Sequence, residues 1–203
     1  MCVERWQKLF VPFFSTPGHD FSIDAAFSAL LEVRGAVALK VVKTWLNGWA
    51  TSDRMHEDPK LKCLLGCPDA DDSQNHYVLC PHLFAFLKFL FDGISDDPLI
   101  RFGMKHPNAY MLKIISCSFS AYHLLKAKVR NGSIHMHEGS WTQPLLRQSW
   151  SVFANALCAE AGELRIPHRA FSLAQFIRLL CSGDRSCGPA AAIQDYVHQE
   201  PDH

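Results

Sequence analysis

The sequence predicts an all-α domain of about five to seven helices built around one irregular, cysteine-bearing loop, and three observations predict it. Apolar residues recur at three- and four-residue steps over several separate stretches. No run alternates with the two-residue period of a strand. One polar stretch, Thr51 to Asn75, breaks the helical pattern with Asp, Pro, Gly, Ser and Asn, and it carries Cys63 and Cys67.

The elements follow in order. Between Ser22 and Trp49, the residues Ile23, Phe27, Leu30, Val37, Val41 and Trp45 line one helical face, with Ser22 placed to cap its start. Gly35 interrupts this stripe, so the segment is one helix or two, the first to about Val33 and the second through Trp45. After the loop, Pro81 suits the first position of a helix, where its missing N–H costs nothing, and Leu83, Phe84, Leu87, Leu90 and Phe91 form the stripe. Gly93 to Pro107 reads as a connection containing one helical turn.

Tyr110 to Arg130 is the strongest helix. Met111, Ile115, Phe119, Tyr122, Leu125 and Val129 share a face, Lys126, Lys128 and Arg130 complement the negative end, and Gly132 can terminate it. A polar stretch, Asn131 to Gly139, leads to a helix from about Pro144 to Ala161, closed by Gly162, with Leu146, Trp150, Phe153 and Leu157 inward. Ser172 and Gln175 form a capping box for a last helix with Phe176, Ile177, Leu179 and Leu180 inward, before a turn over Gly183 to Gly188. The polar end, Asp195 to His203, is expected to fray.

Composition sets outer limits. A chain of 203 residues is too short for two large domains, so residues 1–203 are read as one helical domain with a loop at 51–82. Apolar residues at 48% and charged residues at 20% suffice for a buried core. Lys+Arg and Asp+Glu both number 20, which excludes holding nucleic acid by bulk charge; any such contact must be local. No apolar run reaches the roughly 18 residues of a membrane span, and the eight cysteines are too sparse for a small disulfide scaffold. A soluble intracellular protein with reduced thiols and no membrane partner is expected.

One constellation carries chemistry. Cys63 and Cys67, then His76 and Cys80, have the spacing C-x3-C-x8-H-x3-C, two close pairs separated by a loop. Zinc favours thiolate and imidazole in a tetrahedron, and structural sites are commonly Cys3His. Gly66 can take a positive φ and turn both sulfurs of the first pair to one point, while a helical turn places His76 and Cys80 on one face. Cys80 also precedes the helix at Pro81, whose positive end favours a thiolate. Three thiolates and Zn²⁺ leave a net −1, for which Arg54, Lys60, Lys62 and His82 are the nearest offsets in sequence. With all four positions filled by protein, such a site stabilises structure and does not catalyse.

The run Lys43-Thr-Trp-Leu-Asn-Gly-Trp-Ala-Thr-Ser-Asp-Arg54, followed by Cys63, Gly66-Cys67, His76-Tyr77, Cys80-Pro81 and Leu83, resembles the zinc-binding region after the polymerase of non-LTR retrotransposon reverse transcriptases. The likeness covers about Lys43 to Leu90 and continues more weakly through Ser118 to Lys126. It implies that Cys63, Cys67, His76 and Cys80 are the ligands, that Thr51 and Arg54 form the mouth of the loop, and that Trp45 and Trp49 pack on it. The His76–Cys80 spacing differs from that of many members, and the paired-aspartate polymerase motif is not in this sequence. A detached, non-catalytic module that contacts or positions RNA or DNA is the expectation, with a polymerase domain as a protein partner and the nucleus as its place. The alternative is a zinc-stapled helical module that binds another protein.

Weaker signals complete the reading. Arg54, Lys126, Lys128 and Arg130, with Lys40 and Lys43, are the candidate phosphate contacts. His135, His137 and Glu138 lack a third anchor for a second metal and read as a solvated loop. Asp69, Asp71 and Asp72 read as a solvated acidic turn, and Cys117 and Cys158 as core. Cys181 and Cys187 have no matching pair nearby. No catalytic serine elbow, phosphate loop or dinucleotide glycine motif occurs.

Overall fold

Local start and stop signals set most of the helix boundaries. The computed structural model describes residues 23–135, 141–170 and 172–181. It contains α1 (Ile23–Leu31), α2 (Gly35–Trp45), α3 (Gln74–Leu79), α4 (Pro81–Leu90), α5 (Pro98–Arg101), α6 (Ala109–Arg130), α7 (Gln143–Glu163) and α8 (Leu173–Cys181). The domain is all-α, with no strand among the described residues; Lys62 and Asp71 form an isolated antiparallel bridge. Among the described residues the helices number eight: Gly35 does split the first segment, the expected turn after Gly93 forms as α5, and the short α3 before Pro81 is the addition, α3 and α5 each having a side-chain cap of its own. Ser73 Oγ accepts from His76 N and Asp97 Oδ1 from Leu99 N.

Asn108 Oδ1 caps α6 by accepting from Met111 N at 2.9 Å, and Gly132, at φ +76°, ends it. Thr142 caps α7. Gly162 does not close that helix. It continues to Glu163, and Arg165 takes the left-handed conformation at φ 53° while Ile166 N bonds Ala161 O. Burial of Leu164 and Ile166 holds this extra turn against the core.

Helix α6 is the central member. It packs on α2 and on α7, α7 carries α8, and α1 lies against α2 and α6. Buried side chains from Ala26 to Ile177 form one continuous cluster. In it Phe86 of α4, Trp150 and Phe153 of α7 and Phe176 of α8 meet ring to ring, for example Trp150–Phe176 at 4.8 Å. The Ser22 cap, His137, Glu138, Cys187, the turn after Gly183 and the tail from Asp195 lie outside the described residues, as does the side chain of Cys181.

Candidate metal centre

The loop between α2 and α3 has its polar backbone satisfied at a few fixed points. Cys63 N donates to Ala70 O at 2.8 Å and Asp72 N to Leu61 O at 2.8 Å, so the segment doubles back on itself and presents Cys63 and Cys67 at the bend. Gly66 sits at φ +95°, and a Cβ there would collide with Leu146 Cδ1 of α7. Only glycine serves on both counts. His76 projects from α3, and Cys80 is the residue shared between α3 and α4, where its Sγ accepts from Leu83 N at 3.4 Å.

The four ligand atoms of Cys63, Cys67, His76 and Cys80 lie within 4.8 Å of one another and can hold a metal ion. Cys67 Sγ is 3.6 Å and Cys63 Sγ 4.0 Å from Cys80 Sγ. Bonds of about 2.3 Å at the tetrahedral angle place sulfurs about 3.8 Å apart. His76 Nε2 is buried and makes no hydrogen bond, the state of a nitrogen whose lone pair is committed elsewhere. The residues present therefore fit a tetrahedral cation.

The electrostatics agree. Burial resists ionisation of Cys63, yet its sulfur neighbours and the His76 ring pull its pKa well down. Sharing with Cys63 pushes Cys67 up to about 12, and burial with the same neighbours pushes Cys80 up. Three buried sulfurs this close do not all ionise on their own; a divalent cation at their centre removes that conflict.

The charges nearest in sequence do not offset the site. Lys60 and Lys62 pair instead with Asp53 and Asp71 on the surface, and Arg54 donates to Asn47 O. One cation near enough to Cys80 to interact with it electrostatically is Arg101, from α5. It is buried, donates to Val78 O at 3.0 Å at the end of the ligand helix and to Ser95 O at 2.9 Å, and lies 4.2 Å over the Phe84 ring. Burial lowers its pKa to about 10, which leaves it charged at neutral pH beside Cys80. His82 matches its expected place: Nδ1 is 2.9 Å from Leu65 O and 3.6 Å from Cys67 Sγ. Trp150 Nε1 also donates to Leu65 O, at 3.2 Å, so α7 closes over the bend.

Trp49 packs as the resemblance implies, stacked on Tyr77 of α3 at 5.4 Å and beside Tyr122 at 4.7 Å. Trp45 is buried and donates to Phe102 O at 2.8 Å. Arg54 N bonds Thr51 Oγ1 at the mouth of the loop.

Two readings are corrected. Asp72 is not part of a solvated turn, and Lys126 is not a phosphate contact. Asp72 is 0% exposed and Lys126 2%, and Lys126 Nζ lies 2.8 Å from Asp72 Oδ2 and 2.7 Å from Glu57 Oε2. Ser52 N donates to Asp72 Oδ2 at 2.8 Å, with Ser52 Oγ 2.9 Å from the same oxygen, and the hydroxyls of Tyr77 and Tyr122 donate to Asp72 Oδ1 at 2.8 and 2.9 Å. The lysine thus ties the loop to α6 from inside. Helical spacing cannot distinguish a basic end in water from a lysine meeting a distant carboxylate. Arg54, Lys128 and Arg130 are exposed, with Arg130 Nε 3.9 Å from Glu57 Oε1. His135 is exposed, Cys117 buried and Cys158 half-buried.

Comparison with protein-family models, curated proteins and solved structures finds no match for this chain. No helix among the described residues is long and apolar enough to cross a membrane.

Proposed function

We propose that the chain is a non-catalytic, zinc-stapled helical module of retroelement origin that contacts nucleic acid and positions it for a polymerase domain. The observation that carries the zinc assignment is the closed Cys63, Cys67, His76 and Cys80 cluster, with His76 Nε2 buried and otherwise unpaired. Four protein donors leave no position for water or substrate, so the ion's role is to hold the loop. The nucleic-acid assignment is supported by the resemblance from Lys43 to Leu90 and by the exposed Arg54, Lys128 and Arg130. A second reading, protein binding, is supported by Phe27 and Leu31, one turn apart on α1 and 63% and 88% exposed.

Elemental analysis of reduced protein tests the metal: one zinc per chain is expected, falling in Cys67→Ser. Binding of RNA and DNA followed against salt tests the partner. Affinity that falls with salt, and falls further in Arg54→Ala or Lys128→Ala, supports the nucleic-acid reading. Its absence at low salt leaves protein binding. Primer extension or DNA nicking that persists on purification and vanishes with one carboxylate substitution would overturn the non-catalytic assignment.

A further inference from the structure

Beside the loop, between Glu57–Leu61 and the end of α6, lies a cleft of about 340 Å³, at the small end of ligand sites. Its apolar lining is Pro59, Leu61, Val129 and Ile134. Its polar groups are Glu57, Arg130 and His135. Glu57 is not a loose surface carboxylate. Its Oε2 is held by Ser52 Oγ at 2.6 Å and by the buried Lys126 Nζ at 2.7 Å. Oε1 has Arg130 Nε at 3.9 Å, beyond hydrogen-bond reach.

We propose that this cleft takes one base of a single-stranded nucleic acid, a base whose exocyclic amine donates to Glu57 Oε1, with the adjoining phosphate on Arg130. The proposal rests on the nucleic-acid reading above and names the site and base chemistry within it. Three features select this occupant. Pro59, Leu61 and Val129 offer an apolar surface on which a flat ring can lie. Glu57 demands a hydrogen-bond donor and repels an acidic peptide. Arg130 at the rim attracts phosphate and repels the lysine or arginine side chain that would otherwise suit Glu57. Adenine, cytosine and guanine present such an amine, and adenine and cytosine are the two compared with uracil below. Uracil presents two carbonyl oxygens flanking its one N–H, and these meet the carboxylate unfavourably. Glu57 also remains ionised: burial works against it, but the hydrogen bonds and charge of Lys126 and the bond from Ser52 keep its pKa below the ordinary carboxylate range.

The test uses the full zinc-loaded chain and fluorescent oligoribonucleotides made of adenine, cytosine or uracil alone, at low salt. Adenine and cytosine strands are expected to bind about tenfold more tightly than uracil strands, the worth of one hydrogen bond to a charged group. Glu57→Gln should shrink that preference to about threefold or less while salt-dependent binding persists. Because Glu57 also contacts Lys126, a second variant, Val129→Phe, fills the cleft from the surface of α6 and should erase the preference without touching the buried network. Arg130→Ala should weaken all three strands alike. Equal binding of the three strands, or a preference unchanged in both Glu57→Gln and Val129→Phe, overturns the base site and leaves the nucleic-acid reading standing. No binding of any strand overturns the reading and the site together. Full competition by adenosine monophosphate would make this a site for free nucleotides and overturn the strand assignment.

Discussion

Replacing Lys126 with methionine keeps the unbranched apolar stem of the side chain and removes its ammonium, so it tests the buried network with little change in packing. Lys126 and Asp72 are 2% and 0% exposed and 2.8 Å apart. Breaking such a pair costs about 3–5 kcal/mol, because the surviving charge stays buried. Asp72 keeps three donors, Ser52 N and the hydroxyls of Tyr77 and Tyr122, which favours the lower end, about 3 kcal/mol. Against a total of about 5–15 kcal/mol this is a large loss, and for a chain of this size it lowers the melting temperature by about 6–12 °C. Urea and thermal denaturation of the zinc-loaded protein measure it. Lys128→Met, on the exposed side of the same helix, is the control and should stay within about 0.5 kcal/mol. The double variant Asp72→Asn with Lys126→Met should cost less than the sum of the two singles by about 1–3 kcal/mol. A loss below about 1 kcal/mol in Lys126→Met, or one matching Lys128→Met, would refute the reasoning. Acid titration adds a check of sign. Glu57's pKa is lowered on folding, so its contribution is complete above the ordinary glutamate value of about 4.3 and is lost as pH falls through the folded value. Lys126→Met should flatten that part of the acid profile.

Gly66→Ala should cost about 2 kcal/mol or more from the left-handed backbone and the collision with Leu146, and should weaken zinc retention, read by a chelator competition. Arg101→Met leaves the carbonyls of Val78 and Ser95 without their donor, and is expected to lower stability by about 2 kcal/mol and metal affinity by about tenfold in the same competition. Trp150→Phe removes one of the two donors to Leu65 O and should cost about 1 kcal/mol in urea. Withdrawing zinc with a chelator should lower the melting temperature markedly, since apparent binding at such sites is on the order of 10–16 kcal/mol near neutral pH.

The helices and the ligand set were legible because both are local in sequence. A cap acts within three residues, as Asn108 does on Met111, and a metal pair must be close in the chain to converge, as Cys63 and Cys67 are. What escaped was long-range. Lys126 and Asp72 are 54 residues apart, and each alone carries an ordinary surface pattern: a basic helix end and an acidic turn. Arg101 lies 23 residues from Val78, in a connection whose sequence shows only prolines, aspartates and a single helical turn. Gly162 misled for a related reason. A glycine signals a helix end through local backbone freedom, but burial of Leu164 and Ile166 carried α7 two residues further.

The same distinction bears on what the region after Arg130 does. The resemblance stops before it, yet α7 supplies Leu146, whose side chain fills the space beside Gly66, and Trp150, whose indole reaches Leu65 O across 85 residues. His82 donates to that same carbonyl from α4. The bend that presents Cys63 and Cys67 is therefore held from both sides, by the ligand-bearing helices and by α7. A bend clamped in this way is not a free knuckle offered to a partner: Cys63, Cys67 and Cys80 are all buried. On the nucleic-acid reading proposed above, contact would fall on the flank of the loop, where Glu57, Arg130 and Lys128 lie, rather than on the buried sulfurs. That proposal predicts that substitutions at Leu146 and Trp150 change metal affinity and loop order, whereas those at Arg130 and Lys128 change binding. The two sets of substitutions should separate cleanly in chelator competition and salt titration.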